Sequence, residues 1–121
     1  MGENREYLTQ NENDGSINIS EDVVVAIASE AIGEIEGVGG MMTSMTEQLT
    51  EQFMGKKPAR GIRMEVADGE ITLDLYLMVK YGYAIPELAA KIQEAVMGAV
   101  ASMTGFPVKA VNVHVGGISF N

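Results

Sequence analysis

The chain carries one histidine, His114, in the run Val111-Asn112-Val113-His114-Val115, and no cysteine. Imidazole is the side chain best suited to proton transfer near neutral pH, but it needs partners. Acyl transfer requires a nucleophile and an orienting carboxylate, and a metal centre requires further ligands. Asp74 and Glu65 sit in other strand-like runs and reach His114 only if the strand order allows it. No recognisable nucleophile, base and orienter occur together. No catalytic residue, metal ligand or cofactor site is therefore assigned. Without cysteine, thiol catalysis, disulfides and thiolate metal sites are excluded.

Two other features could do chemistry. Gly37-Val38-Gly39-Gly40 has the spacing of the GxxG loop with which KH-type domains clamp an RNA backbone. That loop normally has basic support, whereas Glu34 and Glu36 precede it here, and a helix C-cap followed by a flexible turn explains the glycines better. The charge balance agrees: 17 acidic against 8 basic residues give a net charge of -9, which repels phosphates and anionic lipid. DNA is excluded as a partner and RNA is disfavoured. A small-ligand or RNA-binding module built on the GVGG loop stands as the alternative function. The basic cluster Lys56, Lys57, Arg60 and Arg63 is read as a solvated loop before a strand. No Walker A, dinucleotide fingerprint or nucleophile elbow occurs.

The second feature is methionine, with nine residues. Met41, Met42, Met45 and Met54 surround a predicted short helix over Thr43 to Met54, in which Met45, Leu49 and Phe53 recur at spacing four. Methionine is flexible and polarizable, so such a cluster suits an adaptable contact surface; a core stripe covering the sheet edge accounts for it as well. Glu47 and Glu51 without a nearby Lys or Arg argue against a membrane-surface helix.

The elements that hold these residues follow from periodicity. Residues 1 to 16 are polar and predict a flexible tail, leaving one domain over 17 to 121. Ile17 to Ile19 allows a short strand. Ser20 then caps a helix with Val24, Ile27, Ala28, Ala31 and Ile35 on one stripe, and Gly37 stops it. Ile62, Met64 and Val66 alternate before Asp68-Gly69, and Ile71, Leu73, Leu75, Leu77 and Val79 alternate after it. This predicts a hairpin with a type I′ turn. Pro86 opens a second helix with Leu88, Ile92, Ala95, Val96, Ala99 and Met103 as its buried stripe; Gly105 and Pro107 end it. Val108 to Val115 is a last strand.

The expected fold is α+β: a two-layer sandwich with two main helices on one face of a mostly antiparallel sheet, in a βαββαβ-like order, plus the short extra helix. The two-residue strand period then assigns the opposite face to Arg63, Glu65, Thr72, Asp74, Tyr76, Met78, Asn112 and His114. The candidate interaction surface is Tyr76, Met78, Asn112 and His114, together with Met41, Met45, Leu49 and Phe53. No run is long and apolar enough to span a membrane, and the N-terminus carries no basic-then-apolar signal. Position 6 is Glu, which breaks a myristoylation motif. A cytoplasmic protein is expected.

From Ile19 to Phe120 the chain resembles the alkaline shock protein family of bacterial envelope-stress proteins. The resemblance runs through ISEDVVVAIASEAIGEIEGVGGM, GIRMEV, DLYLMVKYG, IPELAAKIQEAV, MTGFPV and VNVHVGGI, in the family's order. It implies an abundant, non-enzymatic cytoplasmic interaction protein of the alkaline and cell-envelope stress response in Gram-positive bacteria. It further implies self-association and docking to a membrane-anchored protein with a related domain, without direct membrane insertion. Thr43 to Lys57 is rich in Met, Thr and Glu where relatives look richer in glycine, so a partner contacting it would differ here.

Overall fold

A computed structural model describes residues 7–12, 15–42 and 60–120. In chain order these form β1 (Tyr7–Glu12), β2 (Gly15–Ser20), α1 (Glu21–Gly33), β3 (Val38–Met41), β4 (Ile62–Ala67), β5 (Glu70–Lys80), α2 (Ile85–Thr104) and β6 (Val108–Ser119). The short helix predicted over Thr43 to Met54 lies outside the described residues.

β5 organises the molecule. Ile71, Leu73, Leu75, Leu77 and Val79 are all buried, while the residues between them face the other way. β4 pairs antiparallel along the first half of β5, with Ile62 opposite Leu75 and Met64 opposite Leu73. β3 pairs antiparallel with the second half, with Met41 opposite Leu77 and Val38 opposite Val79. β6 runs parallel to β5 along its other edge, from Ile71 opposite Val108 to Lys80 opposite Ser119. A parallel neighbour needs a crossover, and α2 supplies it. The turn between β4 and β5 has positive φ at both Asp68 (54°) and Gly69 (77°), as a type I′ turn demands.

Both helices cover the apolar face. Val24, Val25, Ala28 and Ile32 of α1 and Leu88, Ile92, Val96 and Val100 of α2 join the strand residues in one core. The fold is an α+β sandwich with two helices and a mostly antiparallel sheet.

Several local expectations need correction. The segment over residues 1–16 predicted to be a tail contributes β1 and the start of β2, which pair from Tyr7 opposite Ser20 to Glu12 opposite Gly15. Thr9 Oγ1 donates to Asn18 Oδ1 at 2.8 Å. A polar hairpin lacks apolar alternation, so main-chain pairing there leaves no hydrophobic period to read. This pair is a sheet of its own, and the first strand of a ferredoxin-like sheet is absent among the described residues. α1 ends at Gly33, four residues before Gly37, and the N-cap Ser20 makes no side-chain capping bond. In α2 the line Ile92, Val96, Val100, Thr104 faces the core, which turns Met103 out to 70% exposure. Gly105 closes that helix in the left-handed conformation, its N–H donating to Ala101 O at 2.9 Å. β6 runs on to Ser119: Gly116 is an extra residue where the register shifts, a β-bulge that prolongs the pairing.

Candidate interaction surface

The face of the sheet away from the helices is built by cross-strand neighbours on β4, β5 and β6. Arg63 lies opposite Asp74, Asp74 opposite Asn112, and Tyr76 opposite His114. Register alone therefore gathers these side chains, because facing residues are the closest on a sheet. Asp74 is the hub. Its Oδ1 accepts from Asn112 Nδ2 at 3.1 Å and lies 3.1 Å from His114 Nε2; its Oδ2 is 3.5 Å from Arg63 Nη1. Arg63 Nη2 also donates to Glu65 Oε2 at 2.7 Å. With Asn112, Arg63 and His114 around one carboxylate whose side chain is 13% exposed, Asp74 does not lack polar partners.

The Tyr76 ring stacks flat on the His114 ring, with centroids 4.4 Å apart and planes 8° from parallel. Burial raises the Tyr76 phenol above its ordinary 10.0, and the Asp74 carboxylate pushes it further the same way; Arg63 opposes both. A raised pKa in the fold means the neutral phenol is the form the fold favours. Its contribution to stability is whole below about pH 10 and is lost as pH climbs through the folded pKa. Asp74→Asn is expected to lower the Tyr76 titration midpoint, read by tyrosinate absorbance. An unchanged midpoint would remove the carboxylate as a cause.

Met78 lies on the same face, its side chain over Gly117. Met42 reaches across to Gly116, whose missing Cβ leaves room for the thioether. Met41 points the other way, against the core, and is not part of this face. Met45, Leu49 and Phe53 lie outside the described residues. The loop predicted at Gly37 to Gly40 is largely strand: Val38–Met41 is β3, and Lys80 N–H donates to Gly37 O at 2.7 Å. The segment Val38 to Gly40 is therefore strand rather than turn, with β5 along one edge.

One pair was not singled out from the sequence. Tyr81 and Phe120 stack at 5.2 Å with both rings largely exposed, 71% and 75%. Parallel β5 and β6 end side by side, and Tyr81 N–H donates to Ser119 O at 2.7 Å. The signal was the aromatics just past two parallel strands, readable only once their pairing is known.

Among the described residues no three His, Cys, Asp or Glu side chains gather as a metal site, and no helix is long and apolar enough to cross a membrane. His114 and Asp74 do meet, because the strand order sets β6 beside β5.

Comparison with known proteins places this arrangement. The chain is 32% identical over 107 residues to YqhY of Bacillus subtilis (strain 168), covering 88% of this chain and 79% of that protein. It is 33% identical over 107 residues to Spy1614 of Streptococcus pyogenes serotype M6, covering 87% and 88%. Among solved structures it is similar to a zinc form of MamM CTD, with TM-score 0.47 and 19% identity over 83% of this chain and 85% of that one. The model of the alkaline shock protein 23 family, described as having a cell envelope-related function, matches residues 9–120. The chain, with its stacked Tyr76–His114 face on a helix-backed sheet, therefore belongs to that family.

Proposed function

We propose that this protein is a non-enzymatic scaffold of the cell-envelope stress response, self-associating in the cytoplasm and docking to a membrane-anchored relative that holds it near the membrane. The observation that carries the proposal is the outer edge of β6. Among the described residues this 12-residue strand pairs with no strand but β5, and of its main chain Val111 O accepts from Gln93 Nε2 of α2 at 2.9 Å. An edge strand presents a row of main-chain donors and acceptors, a ready template for another strand. Natural edges are commonly blunted by charge or proline; Lys109 is the one Lys, Arg, Asp or Glu in β6, and no proline interrupts it. Beside that edge lies the Tyr76–His114 stack, half apolar and half polar, a composition common in interfaces.

Catalysis has little to support it. The Asp74–His114 pair is there, but Asn112 and Arg63 share the carboxylate and the imidazole packs flat on Tyr76. The net charge of -9 opposes contact between copies, so assembly is expected to strengthen as salt screens it. Light scattering at micromolar concentration is the test. Wild-type protein should exceed monomer mass, more so at higher salt, and Tyr76→Glu should shift it toward monomer by placing a charge beside Asp74. A protein that stays monomeric at every salt concentration and retains no membrane-anchored relative from its host would overturn the proposal.

A further inference from the structure

The helix layer has an outer surface that the sheet does not use. α1 and α2 run antiparallel: residues near the end of α1 meet the start of α2, and residues near its start meet the end of α2. Between them lie two depressions, of about 380 and 460 Å³, which both border Glu34 and follow one another along α2. The larger has a floor of Ile27, Ala31, Ala95 and Ala99, with Met103 at one end. The smaller is lined by Ile35, Tyr83 and Leu88. From Ala84 to Met103 the groove follows α2 for nearly its whole length, about 28 Å at 1.5 Å per residue.

The charge along this groove is predominantly negative. Glu30, Glu34, Glu36 and Glu87 line it, against Lys91 alone. An apolar floor of small side chains lets another helix approach closely, as ridges fit grooves at about 8–10 Å between axes. Met103 is flexible and exposed, the kind of side chain that adapts to a docked surface. The carboxylates then select what can lie there. A second copy of this chain, at net charge -9, is a poor occupant, and so is an anionic lipid surface.

We propose that the α1/α2 groove binds a basic amphipathic helix of a partner protein, with apolar anchors on Ala31, Ala95 and Ala99 and Lys or Arg side chains against Glu30 and Glu34. This deepens the scaffold reading and rests on it: the sheet edge serves assembly and the helix face takes a different partner. Apolar residues of the docked helix at i, i+3, i+4 and i+7 would fill the groove. Its flanking cations would make exposed pairs that steer and orient it more than they hold it.

The probe is a synthetic peptide of about eighteen residues, long enough for the groove at 1.5 Å per residue. It carries Leu on one helical face and Lys elsewhere. A peptide of identical composition with the face scrambled is the control. Fluorescence anisotropy with the full chain should show the faced peptide binding at least about tenfold more tightly than the scrambled one. Glu30→Lys with Glu34→Lys should weaken it by at least about tenfold, since like charges then meet. Both positions are exposed, so the variant is expected to fold, and a thermal melt confirms it. Equal binding of both peptides would reduce the effect to bulk charge attraction and overturn the proposal. So would absence of binding at low salt, or indifference to the double substitution in folded protein. Light scattering on the same samples separates the two ideas. Assembly without peptide binding removes the groove alone, and peptide binding without assembly removes the sheet-edge reading alone.

Discussion

Leu75→Ala is expected to lower the unfolding free energy by about 2–5 kcal/mol, the range of buried leucine truncations that leave a cavity. Leu75 is fully buried in the middle of β5, with Ile62 opposite it on β4 and Val113 on β6. Strands on both sides fix the backbone, so the site cannot collapse cheaply, and the upper half of the range is expected. Urea unfolding gives the number. A loss under about half a kcal/mol would place Leu75 on an exposed face and invert the register of the whole sheet. The same substitution for Thr72, one face over and half-buried, serves as the contrast.

Gly61→Ala is the second large effect expected, about 2–4 kcal/mol from left-handed strain and a displaced backbone contact together. Gly61 has φ of 77°. A Cβ there would stand 2.8 Å from the carbonyl oxygen of Tyr76 and 3.1 Å from that of Met42. Backbone oxygens within a sheet cannot swing aside as a side-chain end can. Tyr76 N–H donates to Gly61 O at 2.8 Å, so any shift of Gly61 also stretches that bond. Gly69 isolates the crowding term. It has the same φ of 77°, yet a Cβ there meets nothing within 4 Å. Gly69→Ala should therefore cost only the conformational part, about 1 kcal/mol. Equal losses for the two variants by denaturant unfolding would show that crowding at Gly61 plays no part.

The hairpin, both helices and the buried set of β5 were legible because each has a burial period of its own. Alternation through Ile71 to Val79 is driven by one apolar face, and Asp68-Gly69 states its turn in two residues. The opposite face was legible for the same reason, since Tyr76 and Asp74 must point away wherever Leu75 points in. That His114 stacks on Tyr76 rather than on a neighbour needed the β5–β6 register, which depends on a crossover and a bulge and leaves no local trace. β1 was missed because polar strands pair through backbone. β3 was missed because glycine hides strand as readily as turn: Gly39 and Gly40 sit in a four-residue strand held by hydrogen bonds. The α1/α2 groove is half visible in the sequence as Ala95, Ala99 and Met103, whose spacing predicts a core stripe. A stripe too wide for one interface is also what a docking groove looks like in sequence.

β3 and β4 share one edge of β5, and the place where one hands over to the other is Tyr76. Its carbonyl accepts from Met42 N–H at 2.8 Å, and its N–H donates to Gly61 O at 2.8 Å. β3 ends and β4 begins opposite a single residue of β5, and each is held in register by its own strand pairs. The sheet is thus indifferent to how much chain lies between those two anchor points. Lengthening a connection whose ends are already pinned costs little, about 0.6 kcal/mol per doubling. The registers of β3 and β4 are therefore set independently, each by its own pairs with β5, and meet at Tyr76.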